Sequence, residues 1–122
     1  MSRSFIYDRQ GRAFGLLYEN GDVTDIAGRH LCFVYGDSVY DYNGQHCAWY
    51  QGGIFRDHSG NTVSFIRGAT DSPRPLLPLA QLPPLPGLKS LRPLRPLRSL
   101  KPLKPLKTLN WSGQSLHELV GL

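Results

Sequence analysis

The sequence predicts an all-β module of four repeated hairpins, about eight antiparallel strands, followed by an extended tail and a short C-terminal helix. Three observations predict this architecture. A D-x-x-G motif occurs four times at a nearly constant interval, further turn residues lie between the copies, and leucine recurs at every third position of the tail. The predicted segments are residues 1–70 for the hairpin module, 71–110 for the tail and 111–122 for a C-terminal cap.

Composition changes sharply at about Ser72. All ten prolines follow this residue, whereas twelve of the thirteen aromatic residues precede residue 66. Residues 1–70 carry six arginines and seven acidic residues, whereas residues 71–122 carry eight basic and two acidic residues. The net charge of +5 therefore comes from the tail, and the basic character of the whole chain is a property of that segment.

Each D-x-x-G copy has the chemistry of a hairpin turn. The aspartate can accept a hydrogen bond from the backbone two residues on, and the glycine can take a positive φ after a type I turn. The turn residues are Asp8, Gly11, Asp25, Gly28, Asp41, Gly44, Asp57 and Gly60, with intervals of 17, 16 and 16 between the aspartates. Further turns are predicted at Asn20-Gly21, Gly36-Asp37 and Gly52-Gly53, which completes an antiparallel meander.

Equivalent positions after each turn glycine carry similar residues. Apolar residues stand three and five positions after the glycine, and the period of two along a strand predicts that both lie on one face. The residue between them is small in every copy, which indicates that the hairpins converge around a pseudo-fourfold axis. The apolar pairs are Phe14/Leu16, Leu31/Phe33, Cys47/Trp49 and Val63/Phe65, and the small residues are Gly15, Cys32, Ala48 and Ser64.

Several motifs of the sequence are similar to those of a known family. They are the IYD-x-x-G, VYD-x-x-G and RD-x-x-G copies, the stretch around Trp49, and the Trp111-Ser112 pair after a triplet-repeat tail. On these motifs the sequence resembles the 4-fold β-flower family of bacterial proteins, over nearly its whole length. The resemblance implies four β-hairpin petals about a pseudo-axis, and it implies no activity, cofactor or catalytic residue. The second copy departs from the pattern, because Thr24 stands where the other copies have Tyr7, Tyr40 or Arg56.

The tail has a period of three from Leu76 to Leu109. Polyproline II has three residues per turn and tolerates proline, whereas the α-helix and the β-strand have other periods. We expect the leucine edge to be buried and the cation edge to face water. At about 3.1 Å per residue the segment would reach about 105 Å, so the tail must fold back or associate with tails of other copies. The alternative is a flexible proline-rich linker.

Two sets of tail residues are functional candidates. The leucines form a predicted assembly stripe, and the cations are either a solvated face or a binding site for nucleic acid, acidic glycan or anionic lipid. The assembly candidates are Leu88, Leu91, Leu94, Leu97, Leu100, Leu103 and Leu106. The candidates for polyanion binding are Lys89, Arg92, Arg95, Arg98, Lys101, Lys104 and Lys107.

The sequence predicts no catalytic, metal or cofactor site. His30 near Cys32 and His46 beside Cys47 match no zinc pattern, and the repeat gives both cysteines structural positions. We therefore expect reduced thiols in a non-catalytic structural or interaction module that forms homo-oligomers through its tail. The alternative from another class is a binder of an anionic polymer or surface, and a hydrolase is the third reading.

The two ends of the chain give weaker indications. The N-terminus lacks the apolar segment of a secretory signal, and no apolar run reaches the length of a membrane span. A cytoplasmic location is the expectation, with export that needs no signal as the alternative. Near the C-terminus, Ser115 to Glu118 has the spacing of a capping box, which predicts a short helix with Leu116, Leu119 and Val120 on its apolar face.

Overall fold

In a computed structural model, which describes residues 2–122, eight antiparallel strands close into one barrel in chain order. Each strand pairs with the next one, and β8 pairs with β1. The all-β class and the hairpin repeat are therefore confirmed. The strands are β1 Arg3–Tyr7, β2 Ala13–Tyr18, β3 Asp22–Asp25, β4 His30–Tyr35, β5 Ser38–Tyr40, β6 His46–Gln51, β7 Ile54–Arg56 and β8 Thr62–Ile66.

The D-x-x-G turns join β1 to β2, β3 to β4, β5 to β6 and β7 to β8. In the first turn, Asp8 Oδ1 accepts hydrogen bonds from the backbone N–H groups of Gln10 and Arg12 at 2.9 and 3.0 Å. The N–H of Gly11 donates to the carbonyl of Asp8 at 2.9 Å. The four turn glycines have φ between +81° and +98°, as their place after a type I turn predicts.

A β-bulge in each of the four D-x-x-G hairpins overturns one prediction from the sequence. The register pairs Val23 with Cys32 and Thr24 with His30, so that Leu31 has no partner across the strand. A bulged residue leaves the strict alternation of the strand. The residues three positions after each glycine therefore join the inner core, whereas Phe33 and Trp49 lie under cations of the tail. The prediction that both sets share one face is wrong. The other bulged residues are Phe14, Cys47 and Val63.

The barrel interior is filled by apolar side chains from all eight strands and from the C-terminal helix. This helix, α1 Leu116–Leu119, begins with a capping box in which Ser115 Oγ accepts from the Glu118 N–H and Glu118 Oε1 accepts from the Ser115 N–H. Leu116 and Val120 are buried in the inner core, so the helix covers one end of the barrel. Among residues 2–122, no helix combines the length and apolar character that crossing a membrane requires.

Between the barrel and α1, residues 71–110 contain no helix or strand. Residues 76–109, which we call the belt, pass the four D-x-x-G turns in chain order. Backbone N–H groups of the belt donate to the carbonyl oxygens of the four turn glycines at 2.7–3.2 Å. The chain therefore goes around the barrel axis twice, first as strands and then as the belt. The donor and acceptor pairs are Gln81 with Gly11, Ser90 with Gly28, Ser99 with Gly44 and Thr108 with Gly60.

Candidate functional site

The belt has a nine-residue register within its triplet repeat. The four residues that donate to the turn glycines lie nine positions apart, which is three triplets for each hairpin of the barrel. None of the four is proline, although proline fills the same triplet position at Pro93, Pro96, Pro102 and Pro105. Proline has no backbone N–H, so it can occupy only the triplets between these contacts. Contact with a D-x-x-G turn therefore determines whether the third residue of a triplet is polar or can be proline.

The belt also passes the turn glycines at very short range. The carbonyl oxygen of Leu88 occupies the space that a Cβ on Gly28 would fill, and the same holds at the other three turns. The glycines are thus required both for their positive φ and for the approach of the belt backbone. The other pairs are Leu79 with Gly11, Leu97 with Gly44 and Leu106 with Gly60.

The belt leucines at triplet spacing point away from the barrel, whereas Leu77, which is outside this spacing, packs against it. The eleven leucines at triplet spacing from Leu76 to Leu106 are 89–97% exposed, and Leu109 is 67% exposed. The expectation that the leucine edge is buried is wrong. The physical reason lies in the outer wall of the barrel, which presents carboxylates and aromatic rings to the belt. These groups attract cations, so the Lys/Arg edge faces the barrel instead.

Asp22 is the main anchor for the cations. Its side chain is 1% exposed and lies 2.8 Å from Lys89, 3.7 Å from Arg92 and 2.9 Å from Arg95. Burial raises the pKa of a carboxyl group, but here the hydrogen bonds from Lys89 and Arg95 outweigh it, and the pKa of Asp22 is lowered. Asp22 is therefore a buried carboxylate that draws three consecutive triplets onto the barrel.

Asp37 holds the next part of the belt. Its carboxylate oxygens lie 3.0 Å from Lys101 and 2.8 Å from Lys104. Hydrogen bonds from Lys104 and Lys101 lower the pKa of Asp37 to about 2. Because the Asp37 side chain is about one-third exposed, solvent screens this pair more than it screens the Asp22 cluster.

Asp71 connects the segment that precedes the belt to the end of the belt. It lies just before the belt begins, and Lys107 near the belt's end contacts it at 2.7 Å. The buried Arg56 contacts the other oxygen of Asp71 at 3.1 Å and donates to the carbonyl of Pro73 at 2.7 Å. Arg56 stands where the first and third repeats carry tyrosine, so this departure from the repeat serves the start of the tail.

Aromatic rings of the barrel contribute a second kind of contact for the cations. The nitrogen of Lys89 lies 3.9 Å from the centroid of the Tyr18 ring, and the Arg98 guanidinium lies 3.7 Å from that of Tyr35. All seven cations of the triplet row therefore contact a carboxylate or a ring of the barrel. The remaining cation–ring contacts are Arg95 with Phe33 and Lys104 with Trp49.

The cysteines lie inside the barrel, and burial determines their chemistry. Burial raises the pKa of the Cys47 thiol to about 11, and it also raises the pKa of Cys32. Both thiols are therefore protonated at neutral pH, and a protonated thiol is a weak nucleophile. Within residues 2–122, His, Cys, Asp and Glu side chains form no group of three that could hold a metal ion.

A pair of histidines lies beside the belt. His46 Nδ1 and His58 Nε2 are 2.9 Å apart, which joins the third hairpin to the fourth. Burial, followed by the neighbouring His58, lowers the pKa of His46 to about 4. The backbone N–H of His46 also donates to Ser99 Oγ at 3.1 Å, so the pair lies directly next to one of the nine-residue contacts.

The partners of the cations were not identified from the sequence. Asp37 is in a predicted turn and Asp22 follows another, but nothing in the sequence pairs Asp22, Asp37 or Asp71 with the belt cations. The nine-residue spacing of Gln81, Ser90, Ser99 and Thr108 was visible, and it could have indicated periodic contact with the turns.

Comparison with curated proteins and with solved structures finds no match to this chain. A family model described as "4-fold beta flower protein" matches residues 4–120. The match covers the four hairpins, the belt and most of the C-terminal segment, and the barrel of eight antiparallel strands is consistent with that description. The chain therefore belongs to the 4-fold beta flower protein family.

Proposed function

We propose that this chain is a non-catalytic interaction module in which the barrel holds the belt and the belt leucines bind other copies of the chain. One observation carries the proposal: eleven leucines at regular spacing are 89–97% exposed on a backbone that the barrel holds in place. Contiguous exposed apolar surface of more than a few hundred Å² is uncommon on a monomeric protein and marks interaction sites.

The leucine side chains contribute little to the fold itself. The belt is attached through backbone hydrogen bonds and through the cation edge, both of which lie on its inner side. We propose that the belt has the polyproline II conformation, because three residues per turn would return every leucine to the outer edge. A contact surface that is already ordered has less conformational entropy to lose when a partner binds.

The regularity of the belt favours a second copy as the partner. Every copy presents leucines at the same spacing, so the side chains of one belt can lie in the gaps of another. An interface of this kind can be self-complementary, as in a two-fold symmetric dimer. The binding of an anionic polymer has less support, because such a partner would have to displace the cations from Asp22, Asp37 and Asp71.

Sedimentation velocity of the full chain over a range of concentrations tests the proposal. The wild type should gain mass as the concentration rises. A variant in which Leu79, Leu82, Leu85, Leu94, Leu97 and Leu100 are all replaced by Ser should remain monomeric with an unchanged far-UV circular dichroism spectrum. As a control, replacing Arg3 and Arg67, which are exposed on the barrel and lie outside the belt, with Gln should leave self-association intact. A wild-type chain that stays monomeric at high concentration would contradict the proposal.

A further inference from the structure

We infer that self-association uses one arc of the belt, residues 76–88, which pairs with the same arc of a second copy across a two-fold axis at Leu82. We call this segment the neutral arc and residues 89–107 the basic arc. The inference rests on the proposed function and assigns the contact within it. Three features support it: the distribution of charge along the belt, the apolar area of the arc and its symmetry.

Charge separates the two arcs. The neutral arc contains no charged residue, whereas the basic arc contains seven cations. Six of these share three carboxylates, on Asp22, Asp37 and Asp71, and the seventh, Arg98, lies over a tyrosine ring. Seven cations against three carboxylates leave an excess of four positive charges. Two basic arcs in contact would bring these charges within a Debye length, about 8 Å at physiological salt, so they would repel each other.

At the two turns that the neutral arc crosses, Arg9, Arg12 and Arg29 stand against Asp8 and Asp25, so the barrel adds only one net positive charge there. Arg12 and Arg29 are well exposed there, with side chains 66% and 82% accessible. Each is paired with the aspartate of its own turn, Arg12 with Asp8 at 3.5 Å and Arg29 with Asp25 at 2.9 Å. A second copy can therefore approach this side of the molecule without meeting an uncompensated row of cations.

The apolar area of the neutral arc suits a small reversible interface. Its five leucines at triplet spacing are 91–95% exposed. Burying one leucine removes about 60–120 Å² of apolar surface from water, so five would bury about 300–600 Å² in each copy. The smallest specific interfaces bury roughly 600 Å² per partner. The dimer should therefore form at micromolar or higher concentration. The five leucines are Leu76, Leu79, Leu82, Leu85 and Leu88.

The spacing of these leucines is symmetric about Leu82. In an antiparallel pairing, Leu79 of one copy lies opposite Leu85 of the other, and Leu76 lies opposite Leu88. Leu82 then faces its own counterpart, as a residue on the axis of an isologous dimer does. This arrangement gives the inference a test at a single residue.

Cross-linking through an engineered thiol tests the axis. Leu82 and Leu97 are both 95% exposed and hold the same place in the triplet, so a Leu97→Cys variant is the matched control for Leu82→Cys. The native Cys32 and Cys47 are buried and should not compete. Under mild oxidation at 0.15 M salt, the Leu82→Cys variant should form a disulfide-linked dimer at least ten times faster than the Leu97→Cys variant, because only its thiols would lie at bonding distance. Equal rates would overturn the inference.

Mass measurements separate the inference from the function on which it rests. Replacing Leu79, Leu82 and Leu85 with Ser should give a monomer, whereas replacing Leu94, Leu97 and Leu100 with Ser should leave the dimer. If the second triple variant alone is monomeric, or if both are, the assignment to the neutral arc is wrong and the proposed function stands. If neither triple variant loses mass, the assignment and the proposed function both fail.

Discussion

The carbonyl oxygen of Leu88 lies against the Cα of Gly28, in the space that a Cβ atom would fill. Gly28 has a φ of +98°, so its backbone also lies in a region that other residues rarely adopt. The same residue type thus meets two separate requirements, one from the hairpin turn and one from the belt that crosses it. Comparison with a glycine that meets only the first requirement separates the two effects.

Replacing Gly28 with Ala should lower the free energy of unfolding by about 2–4 kcal/mol, because backbone strain and the displacement of the belt both contribute. Gly36 provides the control. Its φ is +65°, and nothing lies within 4 Å of the position of an added Cβ, so Gly36→Ala should cost only about 1 kcal/mol. Urea unfolding of the two variants measures the difference. Equal losses would show that the belt does not press on the turn.

Replacing Ser99 with Pro should destabilise the protein by about 2–3 kcal/mol, although proline is common at this position of the triplet. The substitution removes the N–H that donates to the Gly44 carbonyl at 2.7 Å and the hydroxyl that accepts from the His46 N–H at 3.1 Å. The reverse change at an intervening triplet, Pro102→Ser, should alter stability by less than about 1 kcal/mol. Thermal and urea unfolding check both values, and a harmless Ser99→Pro variant would refute the nine-residue register.

Replacing Asp22 with Asn should lower the free energy of unfolding by about 3 kcal/mol, because three cations then lose a buried carboxylate. Amide hydrogen exchange at Ser90 should also become faster, since Lys89 no longer holds this part of the belt. Asp37→Asn is the matched control, and it should cost about 1 kcal/mol because that pair is partly exposed. An Asp22→Asn variant that is no less stable than Asp37→Asn would show that burial of the carboxylate is unimportant.

The stability of the protein should fall as the pH drops from about 6.5 to about 4. The pKa of His46 is lowered to about 4 in the folded state, so the unfolded chain binds a proton over this range and the folded chain does not. The contribution of His46 to stability is fully present above its pKa in the unfolded chain. It is lost as the pH falls towards its pKa in the folded state. It should amount to about 1 kcal/mol after solvent screening.

Urea unfolding at several pH values checks this window, with His46→Gln as the control that should flatten it. Asp37 acts at lower pH. Its pKa is lowered to about 2, so its contribution is present above the ordinary value of 3.8 and disappears as the pH falls towards 2. If the stability of the His46→Gln variant fell between pH 6.5 and 4 as steeply as that of the wild type, a group other than His46 would be the cause.

The hairpin turns could be predicted from the sequence because their chemistry is local. Asp8 and Gly11 form their turn through bonds within five residues, and the same bonds recur in each copy. The position of Leu31 could not be predicted in this way. Its bulge depends on which residues of β3 lie opposite, and strand alternation alone assigns it to the wrong face.

The orientation of the tail could not be predicted because it depends on the barrel wall. Burial of leucine is the usual rule for a striped segment. Here the receiving surface carries Asp22, Asp37 and several aromatic rings, and these bind the cation edge more favourably. The triplet pattern shows that two edges exist, but it does not show which of them meets the barrel.

The nine-residue register also limits how the tail can change in length. Deletion of one triplet would keep leucines outside and cations inside, yet it would bring Pro102 to the place of Ser99 at the Gly44 turn and shift every later contact. Deletion of nine residues would restore the register but leave one turn uncovered. Proline-rich repeats are ordinarily free to gain and lose units because each unit acts alone. In this protein an insertion or deletion in the repeat should be tolerated as poorly as one within a strand of the barrel.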